Sequence, residues 1–143
     1  MKRLTSLILS LVLLLTIATP ALAAQPETTV SPRYINTSQA GVSLAITDDG
    51  VASWTIMCFG EPNCTGIDAV TYLERKMGTV WIKMSIDYPI TDYHYSVTGR
   101  NLAATYEMQL TYAGDYRAVV EFTVHGTGGD EELKFWSHRY YEG

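Results

Sequence analysis

Beyond residue 38 the apolar residues of this chain recur at every second position, which is the period of a β-strand buried on one face. Tyr116, Ala118, Val120, Phe122 and Val124 alternate with Arg117, Val119, Glu121, Thr123 and His125. Leu102, Ala104, Tyr106, Met108 and Leu110 alternate in the same way with Ala103, Thr105, Glu107, Gln109 and Thr111. A helix competes over this second run, because it has good helix formers and no breaker, but strict alternation favours the strand.

The rest of the chain repeats the pattern. Val42, Leu44 and Ile46 lead into an Asp48-Asp49-Gly50 turn, followed by Ala52, Trp54, Ile56 and Cys58 on one face of a second strand. Residues 67–76 read as a third strand, rich in Val70, Thr71, Tyr72 and Leu73. Met77-Gly78-Thr79 then turns into a fourth around Val80, Trp81, Ile82, Met84 and Ile86, closed by Pro89. Residues 92–98 place Tyr93, Tyr95 and Val97 on one side and His94 and Ser96 on the other. A turn over 126–130 leads into a last strand over 133–141 with aromatic residues on both faces. Short strands, frequent turns and no convincing helix predict an all-β antiparallel sandwich or barrel.

Residues 24–38 carry Pro26, Pro32 and several Ser and Thr without an apolar period, as an extended lead-in to a single domain over 39–143 would. Upstream, Lys2 and Arg3 precede an apolar run from Leu4 to Ile17, then Pro20 and Ala21-Leu22-Ala23. That layout is a cleavable secretory signal peptide over 1–23, and its apolar run falls short of the roughly 20 residues of a membrane span. The expectation is a secreted, extracellular protein starting near Ala24. With no Cys at the cleavage site and no apolar C-terminal tail, no membrane attachment is expected after cleavage.

Without Lys2 and Arg3 the chain has 8 basic against 15 acidic residues, a net charge of −7. Nucleic acids and anionic lipids recruit Lys and Arg, so neither is an expected partner. Cys58 and Cys64 enclose Phe-Gly-Glu-Pro-Asn, and in an oxidising compartment such a pair reads most simply as a disulfide. It would be a local clip contributing about 2 kcal/mol by loop closure. Two free thiols are the next reading. A redox pair or half a metal site fits the spacing poorly.

Ala113-Gly114-Asp115-Tyr116-Arg117-Ala118 resembles the start of strand F in an immunoglobulin-like sandwich. There a Tyr two residues before a core position bonds back to the preceding corner. The resemblance implies an immunoglobulin-like β-sandwich of about seven to eight strands, with Tyr116 as the corner tyrosine. It puts Ala118 where antibody domains carry Cys, with Trp54 near the facing position. The chain is also similar to a group of small exported bacterial all-β proteins of unknown function. Ser31-Pro32-Arg33-Tyr34, the Leu73, Lys76, Gly78 and Trp81 hairpin, and Gly114, Tyr116-Arg117 and Phe122-Thr123-Val124 carry this likeness. It implies export and fold, and no catalytic or binding residue.

His94, His125 and His138 are the only histidines and form no close ligand pair. Asp48-Asp49 and Asp130-Glu131-Glu132 lie at turns without calcium-loop spacing, so no metal or cofactor is expected. The aromatic residues Tyr93, Tyr95 and Trp136 are the candidate binding residues, because exposed rings stack on sugars and anchor protein contacts. The expected function is a non-catalytic binding or cell-surface interaction module whose partner is an unknown protein or a cell-wall glycan. The alternatives are a carbohydrate-binding domain using those aromatics and a small secreted hydrolase.

Overall fold

The computed structural model describes residues 34–84 and 92–143, which belong to one compact unit, Arg33–Gly143. The expected leader, the lead-in up to residue 33, and Ile86 and Pro89 lie outside the described residues. Where the apolar period is two the described residues form strands, eight in all: β1 (Thr37–Ile46), β2 (Val51–Gly60), β3 (Cys64–Met77), β4 (Val80–Lys83), β5 (Tyr93–Thr98), β6 (Asn101–Gln109), β7 (Gly114–Gly126) and β8 (Glu131–Tyr141). The expected strands reappear, and β6 is a strand as its alternation required.

The strands make two antiparallel sheets packed together, so the chain is all-β. One has three strands in the order β1-β2-β6. The other has five, in the order β4-β3-β7-β8, with β5 also paired to β3. β4 takes the Glu74–Met77 end of β3 and β5 the Gly66–Thr71 end. The sheets meet over the predicted apolar sets. Ala52, Trp54, Ile56 and Cys58 of β2 face Ile67, Ala69 and Leu73 of β3 and the Tyr116, Ala118, Val120, Phe122 and Val124 row of β7 in one buried cluster. Each fully buried Val, Leu, Ile or Phe side chain contributes about 1.5–3 kcal/mol.

Two polar contacts fix this packing. Trp54 Nε1–H donates across the sheets to Thr71 Oγ1 (3.1 Å), whose hydroxyl donates to Val119 C=O (2.7 Å), so the buried indole N–H is satisfied. Tyr116 Oη–H donates to Tyr112 C=O (2.6 Å), four residues upstream, at the corner where the chain enters β7. That is the bond expected of Tyr116.

β1 begins inside the expected lead-in, because a distant carboxylate captures that segment. Glu131 accepts from Ile35 N–H (2.8 Å), Asn36 N–H (3.1 Å) and the Thr37 hydroxyl (2.8 Å). Asn36, fully buried, donates to Gly129 C=O (2.7 Å) and Val124 C=O (3.2 Å) and accepts from Asn63 Nδ2 (2.7 Å). Its seat requires Gly126, since a Cβ there would lie 2.2 Å from Asn36 Oδ1.

The expected disulfide is absent: Cys58 and Cys64 are both free and buried. Cys58 lies in β2 of the three-stranded sheet and Cys64 opens β3 of the five-stranded sheet, and the two thiols are not bonded to each other. Cys64 Sγ turns to Gly66 C=O and Gly99 C=O, each at 3.6 Å. Burial, with Cys64 nearby, pushes the Cys58 thiol up to about 11, far from the thiolate that disulfide exchange needs.

Candidate functional site: the outer face of the five-stranded sheet

Side chains alternate between faces along a strand, and paired residues share a face, so the registers assign every residue of the five-stranded sheet. On the outer face Tyr72, Val119 and Trp136 form one row, and Val70, Glu121 and Lys134 the next. On the other side of the Tyr72 row come Lys83, Glu74, Arg117 and His138, with Trp81 paired to Lys76 beyond. Asp68, Thr123 and Glu132 lie past the Glu121 row, with Ser96 of β5 opposite Asp68.

Charge over rings holds this face together. The Arg117 guanidinium lies over the Trp81 ring (4.4 Å to the centroid) while pairing with Glu74. His138 meets Trp81 edge-on (5.9 Å between centroids) and bonds to Asp115 through Nε2 (2.8 Å). Lys83 Nζ stands 3.7 Å above the Tyr72 ring and pairs with Asp92 at 2.9 Å. Glu121 accepts from Tyr72 Oη–H (3.1 Å) and from Lys134. The Lys134 ammonium holds the Glu121 carboxyl below the usual range, against the opposing effect of burial, and Glu121 raises Lys134 in turn. Trp136 and Tyr140 on the same face of β8 are each 62% exposed. Rings so exposed on a rigid strand offer contact area at low entropic cost.

Between these residues and the β7–β8 turn lies a depression of about 390 Å³, lined by Asp68, Val70, Glu121, Thr123, Glu132 and Lys134, with Phe122 and Leu133. His125 stands beside it in a chain of bonds. Its Nε2 meets Asp68 and its Nδ1 meets Asp130, both at 2.9 Å, and Ser96 Oγ–H donates to Asp68. Two carboxylate partners favour the imidazolium, so His125 is raised above its ordinary value, first by Asp68 and then by Asp130. Ser96 foremost, then His125, lowers Asp68.

The three aromatic residues singled out from the sequence do not share a surface. Tyr93 and Tyr95 pair with Thr71 and Ala69, so they point to the inner side of the sheet, opposite to Trp136. Tyr93 stacks on Tyr106 (4.4 Å between centroids) and tilts against Trp54 (5.9 Å), which ties β5 to β6. Tyr95 is 42% exposed beside them. Trp81, Arg117 and Tyr72 were not anticipated at the site. The alternation around Tyr116–Val124 marks Arg117 as outward-facing, but only the strand order brings it over the Trp81 ring. Of the acidic clusters, Glu131 belongs to the Asn36 anchor, Asp130 to His125, and Asp49 accepts from the Thr47 hydroxyl. Among the described residues no group of three or more His, Cys, Asp or Glu is placed to hold a metal ion.

No protein-family model matches the chain, and no curated protein matches it. Of the likeness to small exported proteins, the all-β fold of two antiparallel sheets is what stands.

Proposed function

We propose that this chain is an exported, non-catalytic binding module with an immunoglobulin-like sandwich, and that it binds its partner on the outer face of the five-stranded sheet. The fold reading is supported by the strand orders β1-β2-β6 and β4-β3-β7-β8, which follow the A-B-E and C-F-G sets of that fold with one strand added beside C. The Tyr116 corner bond supports it as well. β5 departs from the pattern by pairing with β3, where strand D would join E. The signal-peptide layout of residues 1–23 supports export.

The observation that carries the binding reading is Trp136, 62% exposed on a strand and level with Tyr72. A large ring held there by a rigid sheet costs solvation without adding to the core, and such rings are the usual anchors of binding surfaces. A glycan is the ligand class this face suits best. The 390 Å³ depression begins one row from Trp136 and combines carboxylates, an ammonium and a hydroxyl, the groups that hydrogen-bond sugar hydroxyls beside a stacking ring. His125 does not favour the hydrolase reading, since both of its ring nitrogens are engaged by carboxylates.

Co-sedimentation with cell-wall material and insoluble polysaccharides tests the reading, with Trp136→Ala and Tyr95→Ala as the paired variants. Binding by the wild type and Tyr95→Ala, lost in Trp136→Ala of unchanged melting temperature, is the expected result. Loss in Tyr95→Ala instead would move the ligand to the inner edge of the sheet and overturn the choice of face.

A further inference from the structure

The two edges of the three-stranded sheet are finished differently. Bonds flanking the β2–β6 ladder show which backbone groups β6 turns outward: Gly60 N–H donates to Arg100 C=O (2.7 Å) and Leu110 N–H to Gly50 C=O (2.8 Å). The register between them is continuous, and antiparallel neighbours alternate between bonded and non-bonded pairs. The even-numbered residues of β6 therefore bond to β2, and the odd-numbered ones point their N–H and C=O away from it. Among the described residues no strand pairs with that outer side. Asn101, Ala103, Thr105, Glu107 and Gln109 present a regular row of donors and acceptors.

The β1 edge is closed. Thr47 N–H donates to Val51 C=O (3.0 Å), which by the same reasoning turns the even-numbered residues of β1 outward. There Leu44 N–H finds the Ser137 hydroxyl of β8 at 3.1 Å. β1 also carries a register shift between Thr37 and Gln39. Proteins guard exposed edges with bulges, Pro, Lys, short strands or a covering segment. Among the described residues β6 has none of these over its nine positions, and its one charge is Glu107.

Independently of the binding reading above, we propose that the β6 edge is a self-pairing interface, joining two copies of this chain antiparallel about a two-fold axis at Thr105. The occupant that fits is a second copy, because the strand is complementary to itself in this register. All five odd-numbered residues then exchange bonds, with Ala103 opposite Glu107 of the second copy and Asn101 opposite Gln109. A register centred on Glu107 would set two carboxylates face to face, which cross-strand pairs avoid. On the inner face Tyr106 falls opposite Ala104 of the second copy, large against small. The result is a six-stranded sheet with a β1 edge at each end, a closed two-fold assembly of the commonest kind.

Sedimentation velocity over a range of concentrations tests this on the purified protein and on Thr105→Pro. The proline removes an outward N–H and the hydroxyl bond from Thr105 to Thr55 on the outer face (2.9 Å) but no backbone bond of the β2 ladder, so the variant should keep the wild-type far-UV spectrum. The expected result is a wild-type dimer and at least tenfold weaker self-association in the variant. Thr105→Cys should cross-link to its own mate on oxidation, since bonded antiparallel pairs lie about 5.5 Å apart at Cα, within disulfide reach. A wild type that stays monomeric overturns the proposal, whether or not β6 then accepts a different strand. So does a dimer unaffected by Thr105→Pro, and so does folded Thr105→Cys that forms no cross-link.

Discussion

Along β7 one strand supports two different kinds of surface. Tyr116, Ala118, Val120, Phe122 and Val124 are at most 1% exposed and touch apolar neighbours, whereas Arg117, Glu121 and His125 on the other face each hold an opposite charge. Desolvation fixes the first set, and because it involves no charges, neither ionic screening nor titration weakens it. Ion pairs and cations over rings hold the second, and solvent weakens each pair according to its exposure. The inner face thus keeps the fold, and the outer face is left free to carry a binding surface at little cost to stability.

The sharpest break in this comparison comes from the largest of the fully buried side chains. Trp54→Ala opens a cavity between the sheets and removes the donor to Thr71 Oγ1, whose own bond to Val119 C=O remains, so it should lower stability by about 3–5 kcal/mol. Tyr93→Ala removes a ring that is half buried and stacked on Tyr106, and should cost about 1–2 kcal/mol. Denaturant titration of the two variants checks the ranking. Equal midpoints would mean that Trp54 is not the keystone of the inner face.

Arg117→Ala probes whether the outer face is uniformly weak. Glu74 is only 9% exposed, so removing Arg117 leaves a shielded carboxylate without its partner and Trp81 without the cation above it. The expected loss is about 1–3 kcal/mol, more than an exposed pair contributes. Glu74→Gln/Arg117→Ala should recover part of it, because the stranded charge is then gone. If the double variant is no more stable than the single one, the cation over Trp81 matters more than the ion pair.

Much of the inner face was readable from alternation, because the period of Ala52–Cys58, Leu102–Leu110 and Tyr116–Val124 reports directly which side each residue takes. The outer site was not, because it depends on strand neighbours. Nothing local says that Trp81 of a short hairpin strand lies beneath Arg117, 36 residues on, or that Tyr95 and Trp136 face opposite ways across one sheet. The spacing of Cys58 and Cys64 likewise shows that a bridge is short enough to close, and says nothing of the carbonyls of Gly66 and Gly99 to which the fold turns Cys64 Sγ. The start of β1 escaped notice because Glu131, close to the other end of the chain, is what holds it.

The smallest expected effect concerns His125, whose two bonds require a proton on each ring nitrogen. Its folded value is raised, so what it contributes is fully present below the unfolded value of about 6.5 and is lost as pH rises through the folded one. Asp68 is lowered, so its share is present above about 3.9 and lost as pH falls through its folded value. Both are therefore present between roughly pH 4 and 6.5, which makes that the window in which β3, β7 and the β7–β8 turn are clipped together. Melting wild type against His125→Gln at low salt should show the wider gap near pH 5.5 and a narrower one near pH 8.5. A gap that does not change with pH would mean that His125 acts through packing, and the outer face would then owe less to charge than its geometry implies.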